Sequence, residues 1–325
     1  MEVFSHSDTL EDADSPLIPQ YQAGDSLKLQ IVNADSHVLP CTNTIIVDIE
    51  NVITATMAPV MLVTIDTPRP TRAILKLYDR RFGSSLREDD RGKHVPCRLY
   101  LETEFHSFNE GPDGQAKYEA ALWYHSQEYF NTELKAYNHL KDLQGIIIPR
   151  LYASVKLSPT GCPPTSGAHD IYCSVYSIII EFIPRGTLWD LPKDGVYEIN
   201  KRGIVLEDSG PRNVMVHPST RTPYIIDLAQ CTIKDDVFKV WEEFDLVEEG
   251  STLERDWCEH ARSTDNPASI DVVMRIMLEK TFGFTIDIEY PDCSKVLDDT
   301  KTVSETTSSF VSLPTSFPDR PDESV

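Results

Sequence analysis

The sequence predicts an α+β fold with a small lobe built on a sheet, followed by a helical lobe. Three observations support this class: short β-branched runs fill the first half, one long stretch with helical spacing interrupts them, and loops and helical patterns follow. Strands followed by helices are typical of α+β proteins. The length of 325 residues allows one large domain or two smaller ones.

The strands are predicted from apolar segments bounded by Pro, Asp or Arg. In the first half, "TIIVDIENVI", "VMLVTID" and "RAILKLYD" are spaced as consecutive antiparallel strands. "IIIPRLYASVKL" and "YCSVYSIIIEFI" predict two more strands. Further on, "NVMVH" and "YIID" predict a pair of short strands joined by the turn "PSTRTP".

The main helix is predicted over residues 116–143. Apolar residues recur there at helical spacing, and Gly145 ends the pattern. These residues are Leu122, Phe130, Leu134, Tyr137 and Leu140. Two further helices are predicted at about 236–249 and 268–280.

Composition divides the chain into four segments. Residues 1–25 are acidic and are predicted to be disordered, as is the tail over 291–325, which is rich in Ser, Thr, Pro and acid. Between them lie a sheet lobe over 26–183, with an insertion at about 83–115, and a shortened helical lobe over 184–290.

Net charge and cysteine content restrict the partners and the cellular location that the sequence predicts. The chain has 30 basic and 52 acidic residues, a net charge of −22, which repels phosphate backbones and anionic lipid. We therefore predict no nucleic-acid partner and no membrane partner. Seven scattered cysteines without metal-ligand spacing, and a polar N-terminus without signal-peptide character, predict an intracellular protein, cytoplasmic or nuclear.

Five polar residues lie on or beside the predicted elements in a specific order. They are a lysine within a strand, a glutamate on the main helix, an aspartate five residues before an asparagine, and an aspartate at a strand end: Lys76, Glu133, Asp208, Asn213 and Asp227. Each alone is unremarkable, because strand lysines and helix glutamates commonly face solvent. The order and spacing match the way protein kinases arrange a cation for phosphates and oxygen ligands for a metal.

Five blocks of sequence resemble the divergent protein-kinase-like proteins that abound in fungal genomes. The blocks are "AILKLYDRRF", "TELKAYNHLKDLQGIIIPRLYASV", "IIIEFIPRGTLWDL", "DSGPRNVMV" and "YIIDLAQ", and they cover about residues 45–245. The resemblance implies a bilobal protein-kinase-like fold with a small antiparallel-sheet N-lobe, together with ATP and Mg²⁺ as cofactors.

The resemblance also implies a role for each position. Lys76 matches the phosphate-binding lysine and Glu133 its helix partner. Asp208 matches the catalytic-loop acid, and Asn213 and Asp227 match the two metal ligands. The hinge that would contact adenine matches "EFI", which begins at Glu181 and ends at Ile183.

The sequence also departs from the family pattern. Residues 45–65 contain no glycine where kinases have a glycine-rich loop, Glu207 replaces the arginine before the catalytic acid, and Gly210 replaces a lysine. Arg212 either substitutes as the missing cation or binds a loop carbonyl. The 27 residues from Glu181 to Asp208 predict that a long helix of the helical lobe is absent, because "PKDGVYEINKRGIV" shows no helical stripe.

Three functions fit these observations. The first is an ATP- and Mg²⁺-dependent phosphotransferase acting on a hydroxyl, either of a protein Ser or Thr or of a small molecule, as in aminoglycoside-type phosphotransferases. The second is a pseudokinase, a catalytically impaired relative that acts as a binding or scaffold module. The third is an unrelated α+β protein with coincidental matches.

Overall fold

A computed structural model describes residues 20–34, 38–39, 42–67, 70–88, 92–93, 95–97, 115–158, 174–184, 193–220, 222–247, 251–264 and 279–280. The predicted disordered N-terminus, most of the predicted insertion and the predicted tail therefore lie largely outside the described residues. So does all of the predicted helix at 268–280 except its last two residues, which are helical.

The main sheet is antiparallel and contains six strands: β1 (Ser26–Ala34), β2 (Thr44–Ala55), β3 (Pro59–Ile65), β4 (Thr71–Leu77), β5 (Leu151–Leu157) and β6 (Val175–Glu181). Their order is β1-β2-β3-β4-β6-β5, and β1 also pairs with β5, so the sheet closes into a barrel. The mixture of strands and helices and the antiparallel sheet agree with the predicted class, whereas the closure of the sheet into a barrel was not predicted.

The strand that closes the barrel was not predicted. β1, "SLKLQIVNA", alternates polar residues with Leu27, Leu29 and Ile31, and it pairs from Ser26↔Asp48 to Gln30↔Thr44 with β2. Leu29 is fully buried in the barrel core. Its period-two pattern was a readable signal, but it lies next to the acidic N-terminal segment, whose composition dominated the prediction.

The main helix was predicted correctly. Helix α1 (Gln115–His139) is followed by a 3₁₀ turn at Lys141–Leu143, and Gly145 adopts a left-handed conformation with φ 74°. The inward residues Tyr137 and Leu140 are fully buried. They belong to a second core, which lies between the barrel, α1 and the second half of the chain.

The sequence predicts that a long helix is absent before Asp208 and that "PKDGVYEINKRGIV" shows no helical stripe, and the second part of this prediction is wrong because the segment forms a short helix. Helix α2 spans Lys193–Lys201 and buries Val196 and Ile199 one turn apart in the second core. Among the side chains of α2 that the structure describes, two apolar ones make this stripe, and Gly195 lies within the helix, so the sequence pattern is weak. The helix has nine residues, and its two buried side chains pack it against the second core.

The second half contains two pairs of short strands and two more helices: β7 (Ile204–Leu206), β8 (Val214–Val216), β9 (Pro223–Ile225), β10 (Cys231–Ile233), α3 (Lys234–Glu243) and α4 (Leu253–Thr264). β7 pairs with β10, and β8 pairs with β9. Helix α3 confirms the helix predicted at about 236–249, although it ends six residues earlier, and α4 was not predicted. No helix in the described ranges is long and apolar enough to cross a membrane.

Candidate active site

Lys76 projects out of the barrel toward helix α1. Along β4, Ala73, Leu75 and Leu77 are fully buried in the barrel core, so alternation places Lys76 on the opposite face. Its Nζ lies 2.7 Å from Glu133 Oε2 and 2.6 Å from Asp227 Oδ1. One buried lysine therefore joins the sheet, the helix and the end of β9.

Glu133 is the helix partner that the sequence predicted for this lysine. Its side chain is 1% exposed, compared with 8% for that of Lys76. Burial raises the pKa of the Glu133 carboxyl group, and Lys76, which opposes this shift, is shared with Asp227. Burial would lower the pKa of Lys76, but the two carboxylates outweigh it and hold that pKa above its usual value, so the lysine stays charged.

Asp227 follows β9 in a left-handed conformation with φ 63°, which is uncommon for a residue with a side chain. Burial alone would raise the pKa of Asp227, but Lys76 and a backbone N–H of Ala229 hold it below its usual value. The carboxylate is therefore ionised at neutral pH and available as an oxygen ligand.

Asn213 lies beside Asp227 because β8 and β9 are paired. The register sets Val214 opposite Ile225, and the Ile226 N–H donates to the Asn213 carbonyl at 2.8 Å. The Asn213 amide Nδ2 donates to the Asp208 carbonyl at 2.8 Å and to Asp208 Oδ2 at 3.2 Å. Hydrogen bonds and the β8–β9 pairing thus connect the two predicted metal ligands with the predicted catalytic acid.

Asp208 is paired with Arg212, which lies four residues further along the chain. The Arg212 guanidinium donates to Asp208 Oδ1, while its side chain remains 71% exposed. A Cβ atom at Gly210 would lie 3.4 Å from Arg212 Nη1, so the guanidinium lies beside the position that a lysine holds in kinases. This contact is to the carboxylate of Asp208, so both roles predicted for Arg212, as the missing cation for the phosphate or as a partner of a loop carbonyl, remain predictions.

Glu181 and Ile183 lie at the end of β6, beside the same core. The Glu181 side chain accepts a hydrogen bond from Arg150 Nη1 at 2.9 Å, and its N–H donates to the Arg150 carbonyl at 2.8 Å. Ile183 is 6% exposed. Adenine recognition at this segment remains a prediction.

The donor set fits Mg²⁺ better than a fully protein-bound metal. Among the described residues, no group of three or more His, Cys, Asp or Glu side chains could hold a metal ion. Asp227 and Asn213 offer two oxygen ligands, and Mg²⁺ is commonly bound by one or two protein oxygens together with waters and substrate phosphates. The residues present therefore suit a metal that arrives with a nucleotide.

The β2–β3 turn, which contains no glycine, is held by hydrogen bonds from the segment after β4. Ser84 N–H donates to the Ala55 carbonyl at 3.0 Å, and Ser85 N–H donates to the Thr56 carbonyl at 2.9 Å. A Cβ atom at Gly83 would lie 2.4 Å from the Met57 carbonyl oxygen, so only glycine allows this approach. Neither Gly83–Ser85 nor the turn was predicted to form a contact, because the pairing joins segments about 30 residues apart.

Comparison with known proteins places kinases among similar solved structures. No family model matches the chain, and no curated protein is similar to it. A complex of the Rio2 kinase from Chaetomium thermophilum with ADP/Mg²⁺ and phosphoaspartate is 12% identical, with a TM-score of 0.39, and the match covers 80% of this chain and 66% of that chain.

The bifunctional kinase-methyltransferase WbdD is 12% identical, with a TM-score of 0.30 and coverage of 86% of this chain and 60% of that chain. A monomeric WbdD structure is 11% identical, with a TM-score of 0.28 and coverage of 76% and 45%. The chain thus spans about half to two thirds of the length of these structures. The geometry of the site, rather than these similarities, carries the functional proposal.

Proposed function

We propose that this protein is a phosphotransferase of the protein-kinase-like type that binds ATP with Mg²⁺ and transfers the γ-phosphoryl group to a hydroxyl. The observation that carries the proposal is the position of Lys76, whose Nζ contacts both Glu133 and Asp227. This contact joins residues 151 positions apart in the chain, and the D-x4-N loop lies against the same strand end. A bilobal arrangement is part of the same proposal.

Each side chain has a defined task in nucleotide binding. Lys76 binds the phosphates and Glu133 holds the lysine in place. Asp227 and Asn213 provide oxygen ligands for Mg²⁺, which when bound neutralises the phosphate charge. The chain itself has a net charge of −22, so these local cations are needed to admit an anionic ligand.

Transfer requires a proton acceptor and an in-line hydroxyl. Asp208 accepts the hydroxyl proton while the oxygen forms a bond to the γ-phosphorus, and the bond from that phosphorus to the β,γ-bridging oxygen breaks to release ADP. Arg212, which pairs with Asp208 in this structure, moves onto the transferred phosphoryl group. The acceptor is a protein Ser or Thr or a small-molecule hydroxyl.

A catalytically impaired binding module is the second candidate, because two features of the site favour it. Arg212 forms an ion pair with the carboxylate of Asp208, the group that would accept the proton. The β2–β3 turn has no glycine, so it offers phosphate oxygens fewer approachable N–H groups, and the Ala55 and Thr56 carbonyls accept hydrogen bonds from Ser84 and Ser85.

Thermal unfolding with nucleotide tests metal-dependent binding. We expect saturating ATP to raise the melting temperature by several degrees only when Mg²⁺ is present, since binding to the folded state stabilises it. Asp227→Asn should abolish the shift, because it removes a charged metal ligand. Absence of a shift with any nucleotide would contradict the proposal.

ATP turnover separates the two candidates. In an active enzyme, Asp208→Asn should bind Mg·ATP like the wild type and lose turnover by about 100-fold or more, because proton transfer is impaired. A wild type that binds Mg·ATP without any turnover, tested with protein and small-molecule hydroxyl acceptors, would support the binding module.

A further inference from the structure

Tyr78 contacts the candidate site, although sequence patterns gave it no role. It lies two residues after Lys76, immediately beyond β4, and it is 3% exposed. Its N–H donates to the Tyr176 carbonyl at 3.0 Å, and its ring packs edge-on against Phe130 with the centroids 5.6 Å apart. Backbone and ring are therefore both fixed.

The Tyr78 hydroxyl donates a hydrogen bond to Glu133 Oε2, the same oxygen that accepts from Lys76. The other carboxylate oxygen, Glu133 Oε1, is buried and accepts no hydrogen bond from any described residue. Burial beside Glu133 raises the pKa of Tyr78 well above its usual value, so the phenol keeps its proton and remains a donor.

We propose, on the basis of the function proposed above, that Tyr78 is a positioning residue for nucleotide binding, which holds Glu133 in place while Lys76 turns to the phosphates. Lys76 divides its donors between Glu133 and Asp227. Phosphates bound by Lys76 would compete with Glu133 for the ammonium group and so weaken the Lys76–Glu133 contact, whereas the Tyr78 contact to Glu133 does not involve the lysine.

The physical reason lies in the cost of an unsatisfied buried carboxylate. A buried charge with a lost partner costs several kcal/mol, and a hydrogen bond to a charged group offsets part of that cost. Tyr78 belongs to a fixed segment and does not contact the phosphates, so its hydrogen bond persists in both states. Glu133 can then guide Lys76 without changing its own rotamer.

Tyr137 offers a matched control on the same helix as Glu133. It is a fully buried tyrosine in the same core as Tyr78, but its hydroxyl has no hydrogen-bond partner among the described residues. Tyr78→Phe and Tyr137→Phe therefore remove the same atom from neighbouring buried sites, and only the first removes a contact to Glu133.

Titration of the full-length protein with Mg·ADP tests the proposal. Tyr78→Phe should weaken the affinity about tenfold, as expected for a hydrogen bond to a charged group, and Tyr137→Phe should change it less than twofold. In the Lys76→Met background, adding Tyr78→Phe should change the residual affinity less than twofold, since the lysine that Glu133 guides is gone.

The outcomes distinguish the two proposals. If the wild type binds Mg·ADP and Tyr78→Phe binds equally well, or if the loss is the same with and without Lys76, then Tyr78 contributes only packing and the positioning role is wrong. If the wild type does not bind Mg·ADP at all, the proposed function fails and the positioning role fails with it. Melting temperatures of all variants verify that each one is folded.

Discussion

At the scale of single residues, the Arg212–Asp208 pair bears on the proposed transfer. The Arg212 side chain is mostly exposed, and exposed ion pairs contribute well under about 1 kcal/mol. The pair therefore opens at little cost when a stronger anion is present. A transferred phosphoryl group is such an anion, which is why the pair is compatible with activity.

The Lys76 cluster differs from this pair because it is buried. Lys76 and Glu133 are buried, and removal of Lys76 would leave the Glu133 carboxylate as an uncompensated buried charge. Substitutions there should affect stability as well as binding, so Asp227→Asn must be compared with the wild type at temperatures where both are folded.

Asp79 provides a prediction for pH dependence. Its carboxylate binds Arg81 Nη2 at 2.6 Å and Tyr21 Oη at 2.7 Å, with 1% of its side chain exposed. Burial alone would raise the pKa of Asp79, but Arg81 and the hydrogen bonds hold it below the usual value. The unfolded chain, where an Asp pKa is about 3.9, therefore binds the proton more readily than the folded state.

We expect Asp79→Asn to lower the free energy of unfolding by about 3 kcal/mol near neutral pH, where Arg81 loses its charged partner. The stabilising effect of the ionised carboxylate is fully present above about pH 5 and is lost as the pH falls through the lowered folded pKa. The difference between variant and wild type should therefore shrink progressively below about pH 4. Urea unfolding at several pH values measures this difference, and a constant difference would contradict the linkage.

At the scale of elements, helix α1 is fixed by a buried charge cluster near its beginning. Glu119 and Arg87 are both fully buried, and their side chains pair at 2.5 Å. Arg80 also donates to Glu119, and Arg87 Nε donates to the Val95 carbonyl at 2.8 Å. The described part of the predicted insertion therefore includes an anchor that fixes the helix carrying Glu133.

Glu119→Gln should lower the free energy of unfolding by about 3–5 kcal/mol, because it leaves two buried arginines without their carboxylate. Lys135→Gln on the same helix is the control, since the Lys135–Asp236 pair is half exposed and should be worth less than about 1 kcal/mol. Chemical denaturation monitored by circular dichroism measures both. Equal losses in the two variants would show that the cluster is not an anchor.

At the scale of the whole molecule, closure of the barrel distinguishes this chain from the predicted sheet. β1 pairs with both β2 and β5, so the edges of β2 and β5 that face β1 are not open to solvent where they pair with it. The barrel core and the second core meet along β4 and β6, where Leu75 and Ile179 face one core and Ile178 faces the other. Stability of the barrel therefore bears directly on the position of Lys76.

Leu29→Ala should destabilise the protein by about 2–5 kcal/mol, as expected for a large-to-small change at a fully buried site. Val32, on the same strand, is 58% exposed, and Val32→Ala should change stability by less than about 0.5 kcal/mol. If barrel closure matters, Leu29→Ala should also reduce hydrogen-exchange protection in β2 and β5. Unchanged protection there would contradict closure by β1.

Sequence patterns predicted well wherever a local rule applied. Short β-branched runs bounded by Pro, Asp or Arg identified β2, β3 and β4, and spacing of three to four residues identified α1 with Tyr137 and Leu140 inward. The order of Lys76, Glu133, Asp208, Asn213 and Asp227 was also readable. Local patterns failed for α2, whose inward face has only Val196 and Ile199, and for α4.

By itself, the sequence determined the α+β class, most of the strands of the sheet and the residue types at the candidate site, because these depend on periodicity and order along the chain. Only the tertiary structure decided that β1 closes the barrel, that Tyr78 shares Glu133 with Lys76, and that Arg212 binds Asp208. These contacts depend on distances between side chains, which no spacing along a chain specifies. For the same reason only the structure shows that Lys76, a lysine on an apolar strand, contacts both Glu133 and Asp227.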